Sequence, residues 1–191
     1  MRTAIVAPKL VMRTVLAGMA VASLVAGCSP TKDGTPTTAS GTPTNDGKNL
    51  FNPCTGLSDA ALQATKVDPA SKTVVTDPPT GGVVARICRW DSIEGPYGVT
   101  VSSLTYTLAD LRKNDRVTVV RDVQIGSRSG LISLDKADQD KLRCNISLPA
   151  SQGMVEVAVG WDYSERASLP QAPPCDLDVR HAQELEPFLP K

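Results

Sequence analysis

The chain has 191 residues, with 20 basic and 20 acidic side chains and no formal net charge at pH 7. That balance offers nothing to hold a nucleic acid or an anionic bilayer surface. A single histidine leaves little material for histidine-based catalysis, and the length suits one core with flanking segments rather than two domains.

Arg2, Lys9 and Arg13 open the chain, and Thr14–Gly27 follows without a charge. This is the layout of a secretory signal, and 14 uncharged residues are too few to cross a hydrocarbon core, which takes about 20. The segment ends in Leu24-Val25-Ala26-Gly27-Cys28, the aliphatic-small-small-cysteine pattern of a bacterial lipobox. Residues 1–27 are therefore expected to be removed and the Cys28 thiol to carry a diacylglyceryl group, with acyl chains such as palmitate. Two or more such chains give stable anchoring. Cleavage removes three basic residues and no acidic one, leaving a formal charge of −3. The membrane contact expected is the lipid itself, at the extracytoplasmic face of the cell membrane. No nucleic-acid partner is expected.

Residues 29–49 contain six Thr, three Pro, three Gly and no large apolar side chain. Such a stretch cannot bury enough surface to offset its ordering entropy, so 28–49 reads as a disordered tether. Thr with Pro is also the composition of a glycosylated stalk. A single folded domain is expected over 50–191.

In that domain Ser58 can cap a helix running to about Lys66, with Leu57 and Leu62 as a hydrophobic staple. Val83–Asp91 and Tyr97–Tyr106 read as strands joined through Glu94-Gly95-Pro96. Thr107 with Asp110 forms a capping-box start for a short helix to about Asn114. Strands follow at Val117–Val123, Ser127–Leu134, Leu142–Leu148 and Met154–Trp161. In the last two, Leu142, Cys144, Ile146 and Leu148 alternate with Arg143, Asn145 and Ser147; Val155, Val157, Val159 and Trp161 alternate with Glu156, Ala158 and Gly160. Half-polar strands of this kind fit an antiparallel sheet with one covered face. A final helix over about Leu177–Phe188 stripes Leu177, His181, Leu185 and Leu189, and Pro187 and Pro190 limit its length. The fold expected is α+β: an antiparallel β-sheet with two or three helices packed on one side, stapled by two disulfides.

With Cys28 committed to lipid, Cys54, Cys88, Cys144 and Cys175 remain, an even number in an exported chain and hence a disulfide framework. No C-x-x-C occurs, so a redox pair or zinc knuckle has little support. Four cysteines allow three connectivities, and sequence alone does not choose among them. The pairing expected here is Cys54–Cys88 with Cys144–Cys175, each closing a loop of about 30 residues worth about 3–4 kcal/mol on chain-entropy grounds.

Phe51-Asn52-Pro53-Cys54 with Leu57-Ser58-Asp59 resembles the start of an actinobacterial lipoprotein family, domain of unknown function 3558. Cys88-Arg89-Trp90, the Cys144 strand, and Cys175 leading into Leu185-Glu186-Pro187-Phe188-Leu189-Pro190 extend the resemblance over the whole chain. It implies a cell-envelope location and no established activity. The cysteine order is similar to the family's, which supports the pairing above.

Chemical signals in the folded part have ordinary explanations. His181 lies on the apolar stripe of the last helix and reads as packed. Gly126-Ser127-Arg128-Ser129-Gly130 spaces its serine as G-x-x-S-G rather than G-x-S-x-G, and it lacks the Gly-Lys-Ser/Thr ending of a phosphate loop; it reads as a turn leading into a strand. Asp135, Asp138 and Asp140 lack the glycine and closing glutamate of a calcium loop, and Lys136, Lys141 and Arg143 sit among them, so they read as a solvated loop. Asn145-Ile146-Ser147 matches a glycosylation sequon but falls within a strand and is taken as chance. Trp90 and Trp161 each precede an aspartate near a strand end, where an indole either seals a core edge with its N–H on a polar partner or lines a ligand groove.

The function expected is a non-catalytic extracytoplasmic binding or accessory module acting on an envelope protein, with no cofactor, no metal and no assigned ligand residues. A carrier of a lipid or other apolar ligand, held in a cavity between sheet and helices, is the alternative. A hydrolase comes third.

Overall fold

The computed structural model describes residues 47, 49–79 and 82–191; the signal segment, Cys28 and nearly all of the Thr/Pro-rich stretch lie outside the described residues. Asn52 starts helix α1 (Pro53–Gly56) by accepting the Cys54 amide on its side chain. Pro53 takes the first helical position, where a missing N–H costs nothing. Ser58 caps α2 (Asp59–Ala64) through the Ala61 amide, and the stapling pair Leu57 and Leu62 is buried. Thr65 closes α2 and Lys66 turns away with φ 59°, slightly earlier than the sequence pattern implies.

Strands β1 (Thr73–Thr76), β2 (Ala85–Asp91) and β3 (Tyr97–Leu104) precede α3 (Leu108–Lys113), whose Thr107–Asp110 capping box is formed in both directions. Then come β4 (Val117–Ile125), β5 (Arg128–Asp135), β6 (Arg143–Ala150), β7 (Gly153–Trp161) and α4 (Cys175–Leu185). Pro187 lies in a 3-10 turn, Glu186–Phe188, that ends the last helix. The seven strands form one sheet in the order β1-β2-β3-β7-β6-β5-β4, every neighbour antiparallel.

Alternation along the four central strands sorts their side chains between two faces. Val99, Val101, Ile132, Cys144, Ile146, Leu148, Val155, Val157 and Val159 form the main core with Leu57, Leu62, Ala182, Leu185 and Leu189. Helices α2 and α4 therefore cover one face, as the sequence implies, joined there by the single turn of α1, which the sequence pattern does not mark. Helix α3 departs from that arrangement. Its Leu111 packs with Leu131 and Met154 in a small separate core on the opposite face.

The disulfides are Cys54–Cys88, tying α1 to β2, and Cys144–Cys175, tying β6 to α4, with Cα atoms 5.3 and 5.1 Å apart. The turn residues around Ser127 serve structure as well. Arg128 is buried, pairs with Glu186 at 3.2 Å and donates to the Pro190 carbonyl at 2.7 Å, fastening the C-terminal segment to the sheet.

Gly153 makes the β6–β7 turn with φ 128°, and a Cβ placed there would lie 2.2 Å from the Leu104 carbonyl oxygen. Gly153→Ala is accordingly expected to destabilise the fold by about 1–3 kcal/mol, read as a lower urea midpoint at unchanged slope.

Candidate functional site

The face opposite α4 is unusual in its side chains. From β3 it presents Thr100 and Ser102, from β7 Glu156 and Ala158, from β6 Arg143, Asn145 and Ser147, and from β5 Ser133. Where α3 sits, this face is apolar and covered; beyond α3 it carries small and polar groups. Small side chains on neighbouring strands leave a hollow between the taller ones, here about 320 Å³ and lined by Val117, Ser133, Asp135, Arg143, Asn145 and Glu156.

Register explains the grouping. Glu156 stands directly opposite Ser102 and Ser147, Asn145 opposite Ser133 and Ala158, and Arg143 opposite Gly160. The Ser147 hydroxyl donates to Glu156 at 3.2 Å, Arg143 Nε donates to Asn145 Oδ1 at 2.9 Å, and Asn145 Nδ2 donates to the Ser133 carbonyl at 3.2 Å. The Ser133 hydroxyl is buried and has no hydrogen-bond partner among the described residues. Burial raises the Glu156 pKa, opposed by the charge of Arg143 and the Ser147 hydrogen bond. Asp135 and Arg143 also line an adjoining hollow of about 360 Å³ with Lys136, Asp138 and Lys141.

His181 sits elsewhere, on the α4 side. It is fully buried, with Thr65 Oγ1 at 2.7 Å from Nδ1 and the Tyr97 hydroxyl at 3.2 Å from Nε2. Both ring nitrogens are thus engaged. Burial, helped by the nearby Arg180 charge, lowers its pKa to about 4, so the ring is neutral at pH 7. Tyr97 stacks on Trp161 at 5.4 Å, and Arg180 and Tyr97 both contact Glu94. This network joins α4 to β3 and gives the packed histidine that the helical stripe implies.

Trp161 satisfies its indole N–H on the Glu165 carbonyl at 2.9 Å and also lines an open apolar slot of about 210 Å³ with Leu169, Pro170, Pro173 and Leu177. Trp90 behaves differently: it is buried in the core and its N–H has no partner among the described residues. The expected polar partner is therefore found for Trp161 and not for Trp90.

The acidic loop is held by its own carboxylates. Asp135 accepts the Ala137 amide and Asp138 the Arg143 amide, each at 2.8 Å. Asn145 of the sequon is buried in the sheet. The structure also places an aspartate that sequence reading passed over. Asp178 on α4 is fully buried, and neither carboxylate oxygen has a hydrogen-bond partner among the described residues. The polar face itself was legible as the Arg143, Asn145, Ser147 and Glu156 phase of β6 and β7; its convergence with Ser133 depends on strand order.

A family model described as a protein of unknown function (DUF3558) matches residues 23–187. No curated protein and no solved structure matches the chain.

Proposed function

The chain belongs to the DUF3558 family, and we propose that it is a cell-envelope lipoprotein: a non-catalytic binding module held at the extracytoplasmic membrane face by acylated Cys28. One observation carries the reading. The four cysteines of the folded part pair with each other, which leaves Cys28, at the end of its lipobox, as the cysteine for acylation. Paired disulfides also suit an oxidising compartment. The family match begins at residue 23, so it takes in Cys28 together with the fold.

The geometry supports binding at the polar hollow. Asn49 lies by the β6–β7 turn, where it lines a small crevice with Ser151, and the Ser151 amide donates to the Lys191 carbonyl. Asn49 therefore lies at the end of the sheet that carries the β6–β7 turn. Gly160, opposite Arg143, lies seven residues further along β7, about 23 Å at strand rise. Arg143, at the rim of the hollow, therefore lies at the other end of these strands from Asn49. An interior apolar cargo has less support, because side chains of the main core pack the layer between sheet and α4.

Metabolic labelling with an alkyne-bearing palmitate, followed by membrane fractionation, tests the anchor. The protein should label and sediment with membranes, and Cys28→Ala should do neither while retaining both disulfides. Equal labelling of the variant would overturn the reading.

A further inference from the structure

We propose that the hollow floored by Ser133, Asn145 and Glu156 binds a neutral hydroxylated ligand, a sugar ring. The proposal rests on the binding-module reading and adds the ligand's chemistry to it. Three observations point the same way.

The first is the orphaned Ser133 hydroxyl. A buried hydroxyl without a partner costs about 1–3 kcal/mol, and a group that bonds to it would recover part of that cost. The second is the set of groups left over after internal bonding. Arg143 spends Nε on Asn145 and keeps its two terminal nitrogens; Glu156 accepts Ser147 on one oxygen and keeps the other; Asp135 accepts the Ala137 amide on one oxygen and keeps the other. Donors and acceptors thus alternate around one hollow. Each hydroxyl of a sugar ring both gives and accepts a hydrogen bond, so vicinal hydroxyls match this alternation. Val117 supplies an apolar wall for the ring's C–H face.

The third observation is charge. An anion would meet the carboxyls of Glu156 and Asp135. A cation would meet Arg143, with Lys136 and Lys141 in the adjoining hollow. Mixed signs at this spacing favour a neutral partner.

Saturation-transfer NMR on the full acylated protein, in micelles of a polyoxyethylene detergent that carries no sugar, tests the proposal. The probes are the methyl glycosides of glucose, mannose and galactose, with acetate and choline as charged comparisons. At least one glycoside should receive saturation, and acetate and choline should not. Ser133→Val and Glu156→Gln, each checked for an unchanged near-ultraviolet dichroism spectrum, should weaken that glycoside roughly tenfold, the worth of about one hydrogen bond. Dextran as competitor separates a ring inside a glycan chain from a free sugar, and the pyranose chemistry stands with either source. Failure of all three glycosides, survival of the signal in both variants, or stronger saturation of acetate or choline would overturn it. Such a failure leaves the anchored-module reading to be decided separately by labelling at Cys28.

Discussion

Replacing Cys144 and Cys175 together by alanine is expected to lower stability by about 3–4 kcal/mol, with a fall in Tm of about 10–15 °C. The bond joins residues 31 apart, so cutting it frees a long loop in the unfolded chain, and loop-closure entropy sets the scale. In the native state it ties the first turn of α4 to β6, next to β7. A single domain of this size has only about 5–15 kcal/mol in hand, so the double variant should be marginal at 37 °C. Chemical denaturation should also show a steeper dependence on urea, because the released chain exposes more surface on unfolding. A loss under about 1 kcal/mol would mean that the loop is already constrained in the unfolded state.

Asp178→Asn is expected to stabilise the protein at pH 7, by about 1–3 kcal/mol. Burial holds the Asp178 carboxyl well above its ordinary pKa of 3.8, the negative charge of Glu156 adds to the shift, and Arg143 opposes it. The unfolded chain ionises near the ordinary value. Folding must then either keep a proton on this carboxyl or bury its charge without a partner, and both cost free energy at neutral pH. Stability from this group is complete below pH 3.8 and is lost as pH rises through the higher folded value. Asparagine keeps the shape and removes the titration. The gain of the variant over the parent should therefore be largest at neutral pH and shrink toward pH 4. His181, neutral when folded, works in the opposite direction over pH 6.5 to 4. It is common to both proteins and cancels in the comparison. A gain that does not change with pH, or a loss at pH 7, would contradict this account of Asp178.

Strong local signals carried most of the fold. Thr107 with Asp110, Ser58 with its staple, and the strict alternation of β6 and β7 each rest on contacts within a few residues, and the structure reproduces them. Two elements were not visible in this way. β1, Thr73–Thr76, is a short edge strand with three of its four residues exposed, so no hydrophobic alternation marks it. α1 is one turn, fixed by Asn52 and Pro53 rather than by periodicity. The placing of α3 on the opposite face also follows from a non-local fact, the pairing of Leu111 with Leu131 and Met154.

The candidate site was legible in part for the same reason. Arg143, Asn145, Ser147 and Glu156 announce a polar face by their spacing. Ser133 joins them only because β5 pairs with β6 in a register that sets it against Asn145. Asp178 gave no warning at all: an aspartate in the first turn of a helix ordinarily faces water and favours the helix dipole, and its burial is decided by how α4 lies on the sheet.

Intact-mass spectrometry of the protein extracted from its own membranes decides whether Cys28 is the lipid anchor. Acylation at Cys28 predicts a chain that begins at residue 28, heavier than residues 28–191 by a diacylglyceryl group or more, with the added mass on the Cys28 peptide and all four remaining cysteines oxidised. A chain that retains residues 1–27, or one that carries an unmodified Cys28 thiol, would contradict it.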